Sequence, residues 1–191
     1  MKQQTSKQYD RIIATARRIF SDKMKDYGPV WRILRLPSLT DQMYIKAKRL
    51  RKIQETGKML VDEHPEDAFY ALINYAAMAL IQLAHGIADE PDIDRQTALQ
   101  WYDEEVEKSK QLMLRKTHDY DEAWREMRIS SMTDLILQKI LRIKQIEQNR
   151  GRTLVSEGVE GNYRDILNYA VFCLIKSRLE GEPIVEVSPG D

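Results

Sequence analysis

The sequence contains one cysteine, Cys173, in 191 residues. A single thiol cannot close an internal disulfide or build a multi-cysteine zinc site, and it fits a reducing compartment. Net charge is missing too, because 30 Lys and Arg balance 30 Asp and Glu. Dedicated binders of nucleic acid or anionic membranes usually carry a basic excess, so direct DNA binding is not expected. The amino-terminal stretch MKQQTSKQYD has no apolar core of the kind a secretory signal needs, which makes a cytoplasmic location the expectation. Long hydrophobic runs are scarce. Only Ala68 to Ala88 approaches one, and Asn74, Gln82 and His85 interrupt it. A membrane span wants about 20 mostly apolar residues, so this stretch reads as a buried core helix and no membrane partner is expected. Hydrophobic residues at 42 % and charged residues at 31 % are the proportions of a soluble globular protein.

What the sequence does have is a second copy of itself. Lys23-Met-Lys-Asp-Tyr27 and Trp31-Arg32 return as Lys116-Thr-His-Asp-Tyr120 and Trp124-Arg125, at an offset of 93 residues. The same offset pairs Arg35 with Arg128, Ser38 with Ser131, Lys46 with Lys139 and Arg49 with Arg142. One inserted residue shifts it to 94, and Asn74-Tyr75-Ala76 then meets Asn168-Tyr169-Ala170. Tyr9-Asp10 is echoed by Tyr102-Asp103. Matches of this density with one gap mark a tandem duplication.

Each copy reads as three helices. Tyr9, Ile13, Ala16 and Phe20 fall on one helical face over residues 5–24, and Tyr102, Val106 and Met113 repeat that face over residues 97–116. A second helix opens at Ser38 or Thr40 and aligns Met43, Ala47 and Leu50; its twin aligns Ile136, Ile140 and Ile143. Ser38-x-x-Asp41 and Ser131-x-x-Asp134 resemble capping boxes. A third helix starts near Pro65 and runs through Phe69, Leu72, Ile73, Ala76 and Leu80; its twin uses Tyr163, Ile166, Leu167, Ala170 and Leu174. No stretch alternates like a strand. The expected fold is all-α: two tandem three-helix repeats, residues 5–85 and 97–178, packed as a pseudo-dimeric bundle. Residues 86–96 form the linker and residues 179–191 a loose tail. Homo-oligomerisation is left open.

The copies share ionisable and aromatic residues as well as core positions. Asp26, Tyr27 and Trp31, with Asp119, Tyr120 and Trp124, either contact a nucleobase or end a helix and plug the core. Lys46 and Arg49, with Lys139 and Arg142, lie at an i, i+3 spacing on one helix side. They can grip phosphate or serve as ordinary ion-pair partners. Glu63 and Asp67 in the first copy, and Glu157 and Asp165 in the second, offer hard oxygen donors to Mg²⁺ or Mn²⁺. Near a helix N-terminus, acids are also favoured without any metal. Asp165, beside Ile166-Leu167, fits that second account least well. Asn74 and Asn168 interrupt the most apolar helix at the same place, and either pair across the pseudo-twofold axis or orient a ligand.

This ordered set, Lys-x-x-Asp-Tyr…Trp, then Asp…Lys-x-x-Arg, then Glu…Asp…Asn-Tyr-Ala, resembles the nucleotide modification associated domain 1 family over most of residues 5–178. That family in turn looks like a distant relative of the all-α nucleoside triphosphate pyrophosphatases of the MazG-like group. The resemblance implies Mg²⁺-dependent binding of a nucleotide or other small phosphorylated ligand, and cleavage to a monophosphate and pyrophosphate. Glu157 and Asp165 would then be catalytic and metal-holding, with Asp103 or Glu107 from an earlier helix and Glu63 and Asp67 in the first copy. Each copy departs from the family's acidic series at a different position: Ala71 in the first, Gly161 in the second. The alternative is a catalytically inactive interaction module whose acids are caps and ion pairs.

Overall fold

The computed structural model describes residues 2–152 and 158–186. Six α-helices and no strand occur among them: α1 (Lys2–Tyr27), α2 (Leu36–Thr56), α3 (Pro65–His85), α4 (Arg95–Tyr120), α5 (Ile129–Gln148) and α6 (Val159–Leu174). Short 3₁₀ turns at Val30–Ile33 and Ala123–Glu126 follow α1 and α4, and a π-helical turn, Ile175–Leu179, extends α6. The fold is all-α and built from two tandem three-helix repeats. Across the repeats α3 packs on α6, α2 on α5 and α1 on α4.

The hydrophobic periodicity produces this arrangement. Tyr9, Ala16 and Phe20 of α1 and Met43, Ala47 and Leu50 of α2 are buried, as are Ile136, Ile140 and Ile143 of α5. In α1 the buried stripe passes through Ile12, and Ile13 sits half-buried at its edge. Helix α3 is apolar almost all round because it is packed on several sides. By length and composition it could cross a membrane, yet 67 % of its apolar window is buried inside the protein.

The capping boxes do not form. Helices α2 and α5 start two residues before the serines, from the extended residues Arg35 and Arg128, with no side-chain cap at either. Pro37 suits the first turn of α2, but α5 starts at the equivalent residue with Ser130 in that place, so the early start does not depend on proline. True caps sit elsewhere. Asp94 accepts from the Thr97 amide at 2.7 Å, and the His64 ring accepts from the Glu66 amide. Part of the expected tail is tied down, with Glu182 3.0 Å from Lys176 and Ile184 buried.

Polar contacts respect the same pseudo-twofold axis. Arg17 pairs with Asp103 at 2.7 Å, and its counterpart Lys110 pairs with Asp10 at 2.7 Å. Lys144 meets Asp41 at 2.7 Å while Arg51 lies 3.8 Å from Asp134. Both 3₁₀ turns are tied down in the same way. Gln82 donates to the carbonyls of Arg32 and Leu34. Lys176, at the equivalent position, donates to those of Arg125 and Met127.

Candidate functional site

Each repeat forms a pocket, and the two are lined by equivalent positions. The chain leaves α1 through a left-handed residue, Gly28, with φ of 64°, and turns so that Trp31 lies against Phe20, ring centroids 5.6 Å apart. Helix α3 then presents Asp67, Ala71, Asn74, Tyr75 and Met78 to the space this creates. The result is a cavity of about 750 Å³ with an apolar floor and a charged rim of Lys23, Lys46, Glu63 and Asp67. In the second repeat Lys116, Tyr120, Trp124, Lys139, Asp165, Asn168, Tyr169 and Phe172 occupy the matching places, around about 420 Å³. The left-handed exit from α4 falls on Asp121 and Glu122, with φ of 49° and 58°. Neither is a glycine, and of the two only Asp is a residue type that visits this region routinely.

Charge is arranged differently in the two pockets. Asp165 is buried and clamped by two lysines, Lys116 and Lys139, at 2.8 Å each, one per carboxylate oxygen. In the first repeat Ala71 stands where Asp165 would be. The nearest carboxylates on that rim are Glu63 and Asp67. Glu63 is engaged by Arg49, whose Nη1 lies 3.4 Å from its carboxylate and whose Nη2 donates to its backbone carbonyl at 2.9 Å. Lys23 and Lys46 make no ion pair with any described residue.

The aromatic walls differ as well. Phe172 lies parallel on Trp124, with centroids 4.2 Å apart and a 4° interplanar angle, and the Arg125 guanidinium sits 4.4 Å from the same ring. In the first repeat Met78 replaces Phe172, and the Arg32 guanidinium lies over Trp101 instead of Trp31. Each indole N–H, of Trp31 and of Trp124, is buried and has no acceptor among the described residues. Burial raises the Tyr75 phenol above its ordinary value; Tyr169 is raised by burial and then by the nearby Asp165 carboxylate. Both phenols therefore stay neutral and add no negative charge beside the lysines. Glu122 also lines the second pocket, and burial pushes its carboxyl up. Hydrogen bonds from Thr5 and Arg125 more than offset this and hold it below the usual carboxylate range.

The structure gathers some of the expected site residues and separates others. Tyr27 and Tyr120 line their pockets while remaining largely exposed, and Trp31 and Trp124 line them from within the core. Lys46, Lys139, Glu63, Asp67 and Asp165 are pocket residues. Arg142 is exposed and lines neither pocket, and Arg49 acts through Glu63. Asp26 and Asp119 are also exposed outside the pockets. Asp103 pairs with Arg17, and Glu107 accepts from Gln111 at 2.6 Å; neither reaches a pocket. Glu157 lies outside the described residues.

Asn74 and Asn168 form part of the pocket linings, but their amides are spent on structure. Asn74 accepts from the Tyr102 hydroxyl at 2.8 Å and donates to the Ala16 carbonyl at 3.1 Å. Asn168 accepts from Tyr9 and donates to Ser109 in the same pattern. The pockets also hold Lys23 and Lys116, and the sequence signal for them is the repeated motif that each opens and that ends in Asp-Tyr.

The model of the nucleotide modification associated domain 1 family matches the chain twice, over residues 23–83 and 116–177. The chain belongs to that family. The two matched segments cover more than half of it, and each begins on a pocket lysine, Lys23 or Lys116. One nucleotide modification associated domain therefore contributes nearly all of one pocket, with α1 or α4 adding Phe20 or Met113 beneath it. No curated protein matches the chain, and no solved structure matches it.

Proposed function

We propose that the protein binds a nucleotide, or a similar phosphorylated heterocycle, in the pocket of its first repeat. The observation that carries the reading is the lysine pair. Lys23 and Lys46 face one cavity with no ion pair to a carboxylate among the described residues, above a floor that includes Trp31, Tyr70 and Tyr75. Two ammonium groups at an aromatic-walled cleft of about 750 Å³ suit a ligand with an anionic end and a flat end. Tyr27 stands exposed at the mouth, where its ring can cover a base.

A divalent cation would draw its protein ligands from the rim. Glu63 and Asp67 are hard oxygen donors on the same pocket as the lysines. No group of three or more His, Cys, Asp or Glu side chains converges among the described residues. Mg²⁺ characteristically accepts one or two carboxylates and completes its shell with phosphate oxygens and water. Bound there, it would neutralise phosphate charge. Arg49 positions Glu63 for that task through its contacts to both the carboxylate and the backbone.

The other reading, a catalytically inactive interaction module with its acids used as ion pairs, describes the second repeat better. Asp165 there is held by Lys116 and Lys139, and Asp103 by Arg17. The deciding experiment is equilibrium binding of a panel of nucleoside mono-, di- and triphosphates with and without Mg²⁺, using wild type and Lys46→Ala, with ³¹P NMR of the mixtures. Micromolar binding that Lys46→Ala weakens supports the proposal, and pyrophosphate release would extend it to hydrolysis. Absence of binding across the panel leaves the interaction module.

A further inference from the structure

Helices α3 and α6 turn equivalent sides to their pockets, and they differ in where that side holds its acid. On α3 the carboxylate is Asp67, exposed at the rim, and the next turn inward carries Ala71. On α6 the outer position is Gly161, and the inward one is Asp165, whose side chain is only 9 % exposed. Both inward residues line their pocket one turn before an asparagine and a tyrosine, Asn74 and Tyr75 or Asn168 and Tyr169. The acid therefore stands one helical turn nearer the solvent in the first repeat. The consequence falls on the lysine of the neighbouring helix. Lys139 on α5 pairs with Asp165 at 2.8 Å. Its counterpart Lys46 on α2 lines the first pocket and makes no ion pair with a described carboxylate.

We infer that Ala71 is the specificity-determining residue of the first pocket: by placing a methyl group at that depth, it reserves Lys46 for the anionic group of a ligand. The inference rests on the reading of the first pocket given above, and names the residue that sets its preference for anions. A methyl group neither pairs with an ammonium nor repels an incoming phosphate. A carboxylate in the same place would do both, as Asp165 does toward Lys139 in the other repeat. Depth decides the size of the effect. Asp67 lies in contact with water, where its charge is screened and where a hydrated cation can reach it. A charge one turn further in acts through less solvent and over a shorter distance.

Isothermal titration of the full chain with inorganic tripolyphosphate tests the assignment. Ala71→Asn adds the volume of the longer side chain, and Ala71→Asp adds the same volume with a charge. Ala71→Asp is expected to bind at least about tenfold more weakly than Ala71→Asn. Adding Lys46→Ala to Ala71→Asp should cost little further affinity, because the ammonium is already engaged. Urea denaturation gives a readout that needs no ligand: Ala71→Asp should be better tolerated with Lys46 present than in the Lys46→Ala background. Circular dichroism reports folding for each variant. Equal affinity of the two folded Ala71 variants, while Lys46→Ala weakens wild-type binding, overturns the inference and leaves the reading of the pocket in place. Wild type that binds no tripolyphosphate, or binds it equally well without Lys46, overturns that reading. Stability coupling between positions 71 and 46 then still supports Ala71 as the residue that leaves Lys46 unpaired, and its absence removes the inference as well.

Discussion

The hydroxyl of Tyr9, on the first helix of the first repeat, donates to Asn168 of the second at 2.8 Å, and Tyr102 returns the same bond to Asn74. Each repeat therefore closes the other's most apolar helix. The amide that interrupts that helix is needed because the partner phenol is fully buried and must donate somewhere. Burial raises both phenols well above their ordinary value, so they remain donors at any physiological pH. Tyr9→Phe leaves the Asn168 carbonyl without its donor and is expected to cost about 1–3 kcal/mol, with Tyr102→Phe costing the same. Urea denaturation of each variant checks this. A cost near zero for both would mean the pair carries no load at the repeat interface.

Arg164 is the most heavily committed cation in the core. It meets Glu105 at 2.8 Å and Glu160 at 2.7 Å, and donates to Ser109 as well. Removing Arg164 leaves the buried Glu105 carboxylate with only the exposed Lys108 at 2.6 Å, so Arg164→Met should destabilise by about 3 kcal/mol. Adding Glu105→Leu removes the stranded charge, and the double variant should recover much of that loss. Chemical denaturation of the two variants side by side measures both effects.

Glu147 gives a pH signature. Burial raises its carboxyl above the ordinary range, and the hydrogen bonds from Thr40 and Tyr163 only partly counter this. A carboxyl raised in the folded state favours folding when protonated. Its contribution is full below the unfolded value and is lost as pH rises through the raised one. The equivalent residue in the first repeat is Gln54, whose amide nitrogen donates to the Thr133 hydroxyl at 3.0 Å with no charge to desolvate. Glu147→Gln should therefore raise the thermal midpoint at pH 8 and leave it little changed at pH 4. A gap that is the same at both values would contradict the assignment.

The pocket lysines make the functional prediction. Lys46→Ala removes a side chain that ion-pairs with no described residue, so folding stability should change little. Ligand affinity should fall at least about tenfold, the effect of one charge-assisted hydrogen bond to phosphate. Lys23→Ala should do the same, and added salt should narrow the difference from wild type. Lys139→Ala should behave oppositely. It strands part of the Asp165 clamp, lowers stability and leaves binding in the first pocket intact.

Much of the architecture could be read from residue order because helical periodicity and duplication reinforce each other. Phe69, Leu72 and Ile73 sit where the pattern puts them, and so do Tyr163, Ile166 and Leu167. What escaped the pattern was set by tertiary neighbours. Ile12 and Ile13 are equal by composition, and only packing selects Ile12. Ser38 looks like a cap by spacing, but the helix starts earlier, from the extended residue Arg35. Trp31, Lys46 and Asp67 line one pocket, whereas Asp103 and Asp10 are shared across the axis with Arg17 and Lys110. Nothing in a linear spacing distinguishes a carboxylate that faces a cavity from one that faces a neighbouring helix. Spacing alone does not single out Lys23, because it lies in a helix-ending motif and its place in the pocket depends on the turn at Gly28 that follows.

The central claim is that the first repeat's pocket receives phosphate through Lys23 and Lys46. Crystals of the protein grown with Mg²⁺ and a non-hydrolysable nucleoside triphosphate test it most directly. The account predicts density for one nucleotide per chain, with phosphate oxygens in hydrogen-bond contact with both lysine ammonium groups and the base against the aromatic wall. A nucleotide seated elsewhere, or a first pocket that stays empty at saturating ligand, would contradict it.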